Sequence, residues 1–229
     1  MFENFGERVQ MLFLQMVPFL MAIVIHEVAH AFVARRHGDH TAEKLGRLTL
    51  NPVPHIDPIG TLLFPAVNIL TGIPILFGWA KPVPIDYNRL KPYRRGLFLV
   101  ALAGPASNFL LGFLAALFLV AFSSLVPSSF YLYEPLRGMA FVAISINYAL
   151  GLFNLVPLPP LDGSKMVESF LSYEATRQYE KLAAYSFFIL LALLWSGALS
   201  VLAIPINFLS NLSIGIWAAI FGQLGLISM

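Results

Sequence analysis

Residues 9–34 form an apolar run long enough to cross a bilayer, for which about 20 residues suffice. Such a run is constrained to be helical, because lipid offers no partner to an unpaired backbone N–H or C=O. It contains the stretch Ile23-Val24-Ile25-His26-Glu27-Val28-Ala29-His30-Ala31-Phe32, in which His26, Glu27 and His30 break an otherwise apolar pattern. Ionisable groups at membrane depth are costly and mark function. His26 and His30 are four residues apart, so on a helix they share one face, one turn apart, and can hold one zinc ion from the same side. Glu27 lies beside them with a carboxylate that can take a proton from a water activated by that metal.

The rest of the chain follows the membrane pattern. Of its 229 residues 58% are hydrophobic and 11% charged, with a mean hydropathy of +0.77. Soluble domains carry roughly 25% charged residues. One membrane-embedded domain over residues 1–229 is expected, with a catalytic core at about 9–172 and C-terminal membrane segments at about 184–228. The chain has no Cys, which excludes thiol catalysis, cysteine ligands and disulfides. A net charge of +2 without a basic cluster gives no sign of a nucleic-acid partner. The first apolar run is too long for a cleaved signal and carries the motif.

The predicted fold is an all-α polytopic membrane protein with about five transmembrane helices plus a re-entrant, partly extended (β-like) membrane loop. The spans are expected at 9–34, kinked at Pro18, then at 96–122, 137–153, 184–203 and, more weakly, 207–227. Residues 37–58 read as turns and extended chain. Residues 59–79 are apolar but interrupted by Gly60, Pro65, Gly72, Pro74 and Gly78, and 79–86 read as extended. A short amphipathic helix is expected at 164–171. Basic residues orient the chain. If 59–79 dips in and returns, twelve of the fourteen Lys and Arg residues lie on the cytosolic side. The N-terminus is then outside, the 123–136 loop outside and the C-terminus inside. Broken backbone at membrane depth must be covered by protein or line a watery cavity, so a polar chamber opening to the cytosol is expected. His26 lies nine residues before Arg35, roughly 13 Å inside the cytosolic surface.

A hydrolytic zinc site takes three protein ligands and leaves one position for water. Asp162 is the best third ligand, since it follows a backbone unwound by Pro157, Pro159 and Pro160 at about the right depth. Its alternative role is capping the helix that follows. His55 and Asp57 are competing ligand candidates, with turn residues in a Pro-rich loop as the plainer reading. Asn108 shares a face with Gly104 and Gly112, where small residues let helices approach closely; it is expected to act as scaffold, bonding backbone across that face.

His26-Glu27-Val28-Ala29-His30, Gly104-Pro105-Ala106-Ser107-Asn108 and Leu161-Asp162-Gly163 after Asn154-Leu155-Val156-Pro157 resemble the site-2 protease family of intramembrane zinc metalloproteases. Arg47-Leu48-Thr49-Leu50-Asn51-Pro52 and Gly78-Trp79-Ala80-Lys81-Pro82-Val83-Pro84 resemble its compact prokaryotic members, without PDZ or CBS domains. The resemblance covers roughly residues 20–170. It implies one Zn²⁺ per chain on His26, His30 and Asp162, Glu27 as the catalytic carboxylate, and Asn154 helping to bind substrate or to stabilise the oxyanion. It also implies cleavage of single-span membrane-protein substrates within the bilayer, in a prokaryotic cell (inner) membrane. A membrane metal carrier and a non-proteolytic adaptor are the alternatives. The chain has no internal repeat of the transporter kind, a carrier has no use for Glu27, and an adaptor would be expected to have lost one of the four motif residues.

Overall fold

The computed structural model describes residues 5–63, 67 and 80–226, and among them the regular structure is helical, with no strand. Helix α1 (Phe5–Arg36) contains the first predicted span and runs through Pro18. A single turn, α2 (Thr41–Lys44), follows, and then α3 (Tyr93–Leu125), α4 (Tyr133–Asn154), α5 (Asp162–Glu168), α6 (Tyr173–Glu180), α7 (Ala183–Trp195) and α8 (Ala203–Gln223). Among the described residues four helical stretches are long and apolar enough to cross a membrane: Phe5–Arg36, Tyr93–Leu125, Tyr133–Asn154 and Ala198–Gln223. The chain is an integral, polytopic membrane protein. Large side chains such as Phe13, Leu110, Phe118 and Phe208 remain exposed on these helices, as a lipid-facing surface requires.

Helices α1, α3 and α4 form the core. Asn108 meets both Ala22 and Asn147, and Gly112 lies under Tyr148. Because His30 meets Val100 while His26 meets Asn108, α3 runs antiparallel to α1. Two glycines allow the close approach of α3 and α4: a Cβ on Gly112 would lie 3.0 Å from the Tyr148 ring, and one on Gly151 3.2 Å from the Phe109 ring. Ala116, Leu119, Ala140, Ile144 and Tyr148 form one buried cluster, closed on the outside by Ile206, Leu209, Ile214 and Trp217 of α8. Tyr148 Oη and Ser213 Oγ pair at 2.5 Å, and Trp217 Nε1 donates to Phe113 O at 3.0 Å.

Three sequence expectations change in detail. Residues 184–203 were expected as one span. Instead α7 has 13 residues, Gly197 adopts a left-handed φ of 71°, and a 3-10 turn over Ala198–Leu202 leads into α8. Apolar composition is blind to such a break, which one glycine can introduce at little steric cost. The polar stretch before Lys181 contains the helix α6, and the short helix expected at 164–171 starts at Asp162. Most of the re-entrant stretch expected at 59–79 lies outside the described residues. Its first part belongs to a π-helical turn, Pro58–Leu63. Its flanks meet, since Lys81 N–H donates to His55 O at 2.9 Å.

Candidate metal centre

His26 and His30 sit on the inner face of α1, both buried. Asp162 is the first residue of α5, brought over them by the unwound chain after α4. Gly163 makes this placement possible. A Cβ there would collide with Leu155 O and stand 2.5 Å from Val156 O, so α5 lies directly on that backbone. His26 Nε2 and His30 Nε2 are 3.0 Å apart, and the Asp162 carboxylate oxygens lie 3.1 Å from the first and 3.3 Å from the second. Among the described residues these three form the group that could hold a metal ion.

The hydrogen bonds behind the imidazoles decide the chemistry. His30 Nδ1 is 2.7 Å from Val100 O, which can only accept, so Nδ1 carries the proton. His26 Nδ1 is 2.5 Å from Asn108 Oδ1. The orientation of the Asn108 amide is set by its other side: Nδ2 donates to Ala22 O at 3.3 Å and to Asn147 Oδ1 at 2.9 Å, and Asn147 Nδ2 donates to Ala143 O at 2.8 Å. Both imidazoles therefore carry a proton at Nδ1, and in their neutral form both Nε2 atoms present lone pairs. Two bare nitrogens and a carboxylate then face one another, and Asp162 Oδ2 is buried without a hydrogen-bond donor. With neutral imidazoles this set of acceptors suits a cation, and N and O donors of this type suit zinc. Gly104 completes the cradle. A Cβ there would stand 2.5 Å from His26 Nε2 and would collide with His30 Nε2.

Glu27 does not join this cluster. Its Oε2 accepts the Val83 N–H at 2.7 Å, from the extended chain that follows residue 79. Tyr87 lies nearby. Burial, reinforced by the charges of Asp162, Glu168 and Glu27, pushes its phenol up to about 12, so it remains a hydroxyl donor at neutral pH. Asn154 Nδ2 donates to Leu150 O at 3.0 Å, closing the last turn of α4. Of that amide nitrogen's two protons, one remains for another acceptor.

The competing ligand candidates are elsewhere. Asp57 Oδ1 accepts from Ile59 N and Gly60 N and so caps the turn that follows. His55 is buried, with Nε2 3.0 Å from Thr49 O. Asn108 bonds backbone across the α1–α3 interface, as expected of a scaffold, and also orients His26. Asn147, Val100 O and Val83 N–H escaped sequence reasoning. An Asn in the middle of an apolar helix is a usable signal for Asn147; the two backbone groups carry none.

The family model for Peptidase family M50 matches residues 125–196, the part that carries Asn154 and Asp162. Over 186 residues the chain is 37% identical to YwhC of Bacillus subtilis (strain 168), covering 79% of this chain and 81% of that one; YwhC is named as a candidate zinc metalloprotease. It is 34% identical over 181 residues to Rip2 of Mycolicibacterium smegmatis, which bears the same description, covering 79% of this chain and 66% of the relative. Rip2 of Mycobacterium tuberculosis (strain H37Rv) is 34% identical over 186 residues, again with 66% of the relative covered. No solved structure matches the chain. With a relative of this identity aligned over most of both chains, the chain belongs to peptidase family M50, the site-2 protease family.

Proposed function

We propose that this protein is an intramembrane zinc metalloendopeptidase that cleaves single-span membrane proteins within or near their transmembrane helices. The observation that carries the reading is the convergence of two bare imidazole nitrogens and the Asp162 carboxylate inside a membrane bundle, with Glu27 one residue away. The relatives' names point to the same metal and the same chemistry.

His26, His30 and Asp162 hold the metal. A zinc ion there supplies Lewis acidity toward a carbonyl and toward water. Glu27 takes a proton from the attacking water and passes it to the leaving amine. Its Oε2 is anchored by Val83, which leaves Oε1 for this transfer. The free N–H of Asn154 is a donor for the developing oxyanion. Asn108 and Val100 O hold the imidazoles in the ligating tautomer. The catalytic core is residues 9–172, in a cell membrane, with the N-terminus outside and the site open to the cytosol. The contact between Lys81 and His55 supports a stretch 59–79 that begins and ends on one side.

The test is Glu27→Gln in purified protein with a reconstituted single-span substrate. The variant should fold and bind one zinc, yet cleave at least about 10²-fold more slowly, the range expected on losing a general base. Equal rates for wild type and variant would remove the mechanism, and a wild type that binds zinc but cleaves nothing would favour a carrier.

A further inference from the structure

Arg47 is buried, with 8% of its surface exposed, and among the described residues it enters no ion pair. A buried cation without a counter-ion is costly and persists only where hydrogen bonds compensate it. What it touches gives the reason for keeping it. Arg47 Nη2 donates to Lys81 O at 2.6 Å and to Pro82 O at 3.2 Å. Pro82 O belongs to the same peptide unit as the Val83 N–H, and that N–H donates to Glu27. A peptide unit is planar and trans, so its C=O and N–H point in opposite directions. Fixing the oxygen therefore aims the N–H. A guanidinium on the oxygen also polarises the unit and strengthens donation at its far end.

We infer that Arg47 is a positioning residue for the Glu27 carboxylate, acting through the peptide between Pro82 and Val83. The inference rests on the proposed role of Glu27 and adds to it the control of where the proton-accepting oxygen stands. The remaining contacts of this stretch fit a built support. Lys81 N–H is held by His55 O, Asp86 N–H donates to Asp39 Oδ2 at 2.8 Å, and the Val83 side chain is buried against Ala31 and Ala42. With one carboxylate oxygen tied down, the other stays available for water. With the peptide free to rotate, Glu27 loses its anchor.

The experiment compares Arg47→Met, Arg47→Lys and Val83→Pro, each alone and in the Glu27→Gln background, by cleavage of a reconstituted single-span substrate and by bound zinc. Arg47→Met removes the donors, and Val83→Pro removes the N–H without touching Arg47. Both should lower kcat by about tenfold to a hundredfold, the usual effect of misplacing a reacting group, with KM within about twofold and one zinc retained. Arg47→Lys, which keeps a cationic donor, should recover part of the loss. In the Glu27→Gln background neither Arg47→Met nor Val83→Pro should cost more than about twofold further, because the group they position is gone. The inference is overturned by full activity in Val83→Pro, by losses that multiply with that of Glu27→Gln, or by a lysine variant no better than methionine. If Arg47→Met fails to fold, Val83→Pro and its cycle with Glu27→Gln decide. Failure of the proposed function reads differently, as a Glu27→Gln variant as fast as wild type.

Discussion

At the scale of single residues, the centre depends on what is absent as much as on what is present. Gly104 leaves room for two imidazoles that a methyl group would displace. Gly104→Ala should favour helix α3 by about 1 kcal/mol through propensity alone. We nevertheless expect it to lower zinc affinity by at least about tenfold, measured by competition with a chelator, because the new Cβ would collide with the His30 nitrogen. Unchanged affinity would mean that the imidazoles do not need this wall. Asp162→Ala should lose most bound zinc, whereas His55→Ala and Asp57→Ala should keep it; the opposite pattern would reassign the third ligand. Asn108→Ala should cost about tenfold to a hundredfold in affinity, since Nδ1 of His26 then loses its acceptor. That His26 and His30 share one face was legible in the sequence, because a helical period fixes which side chains lie together. Glu27's partner was not, because Val83 N–H is a backbone group 56 residues away and every residue except proline has one.

At the scale of elements, the end of α1 is tied to the chain leading into α3 by Asp39. This side chain is buried just beyond the membrane helix, and its carboxylate accepts from Thr41 Oγ1 and N and from Asp86 N. Burial alone would raise its pKa, but these hydrogen bonds, with the charge of Arg89, outweigh it and hold the carboxyl below its usual value. A carboxyl depressed in the folded state contributes stability that is fully present above the unfolded value, near about 4, and is lost as pH falls through the folded value. Asp39→Asn should therefore destabilise the protein at neutral pH by roughly 1–3 kcal/mol. The gap to wild type in thermal unfolding should close on acidification below about pH 4, and a gap constant with pH would show that the charge is irrelevant. Helices long enough to span were readable from apolar runs. The short α6 and the break at Gly197 were not, because the first is stabilised by a Ser172 cap and the second by one left-handed glycine, neither of which alters composition.

At the scale of the whole molecule, four membrane-length helices leave open which side the C-terminus occupies, and the packing of α8 yields a testable expectation. Ser213 pairs with Tyr148, close to the C-terminal end of α4. The turn Ala198–Leu202 also packs on α4, although it lies at least about 17 Å upstream of Ser213 at roughly 1.5 Å per residue. It can reach α4 only toward that helix's N-terminal end, so α8 runs parallel to α4. Two consecutive parallel spans require the chain between them to return across the membrane. A return of that kind would have to be made by α7 and its link at Ser196 and Gly197, ahead of the fourth membrane-length stretch, although α7 alone is only 13 residues long. The C-terminus should then lie on the same side as Asn88 and α5, with the loop at Ser128 opposite. Because the chain is free of Cys, Asn88→Cys, Ser128→Cys and Gln223→Cys can each be labelled from one side with an impermeant thiol reagent. Asn88 and Gln223 should label together from the cytosolic side and Ser128 from the other. Labelling of Gln223 with Ser128 would mean that α7 does not cross, and labelling of Asn88 from outside would mean that the stretch 59–79 does.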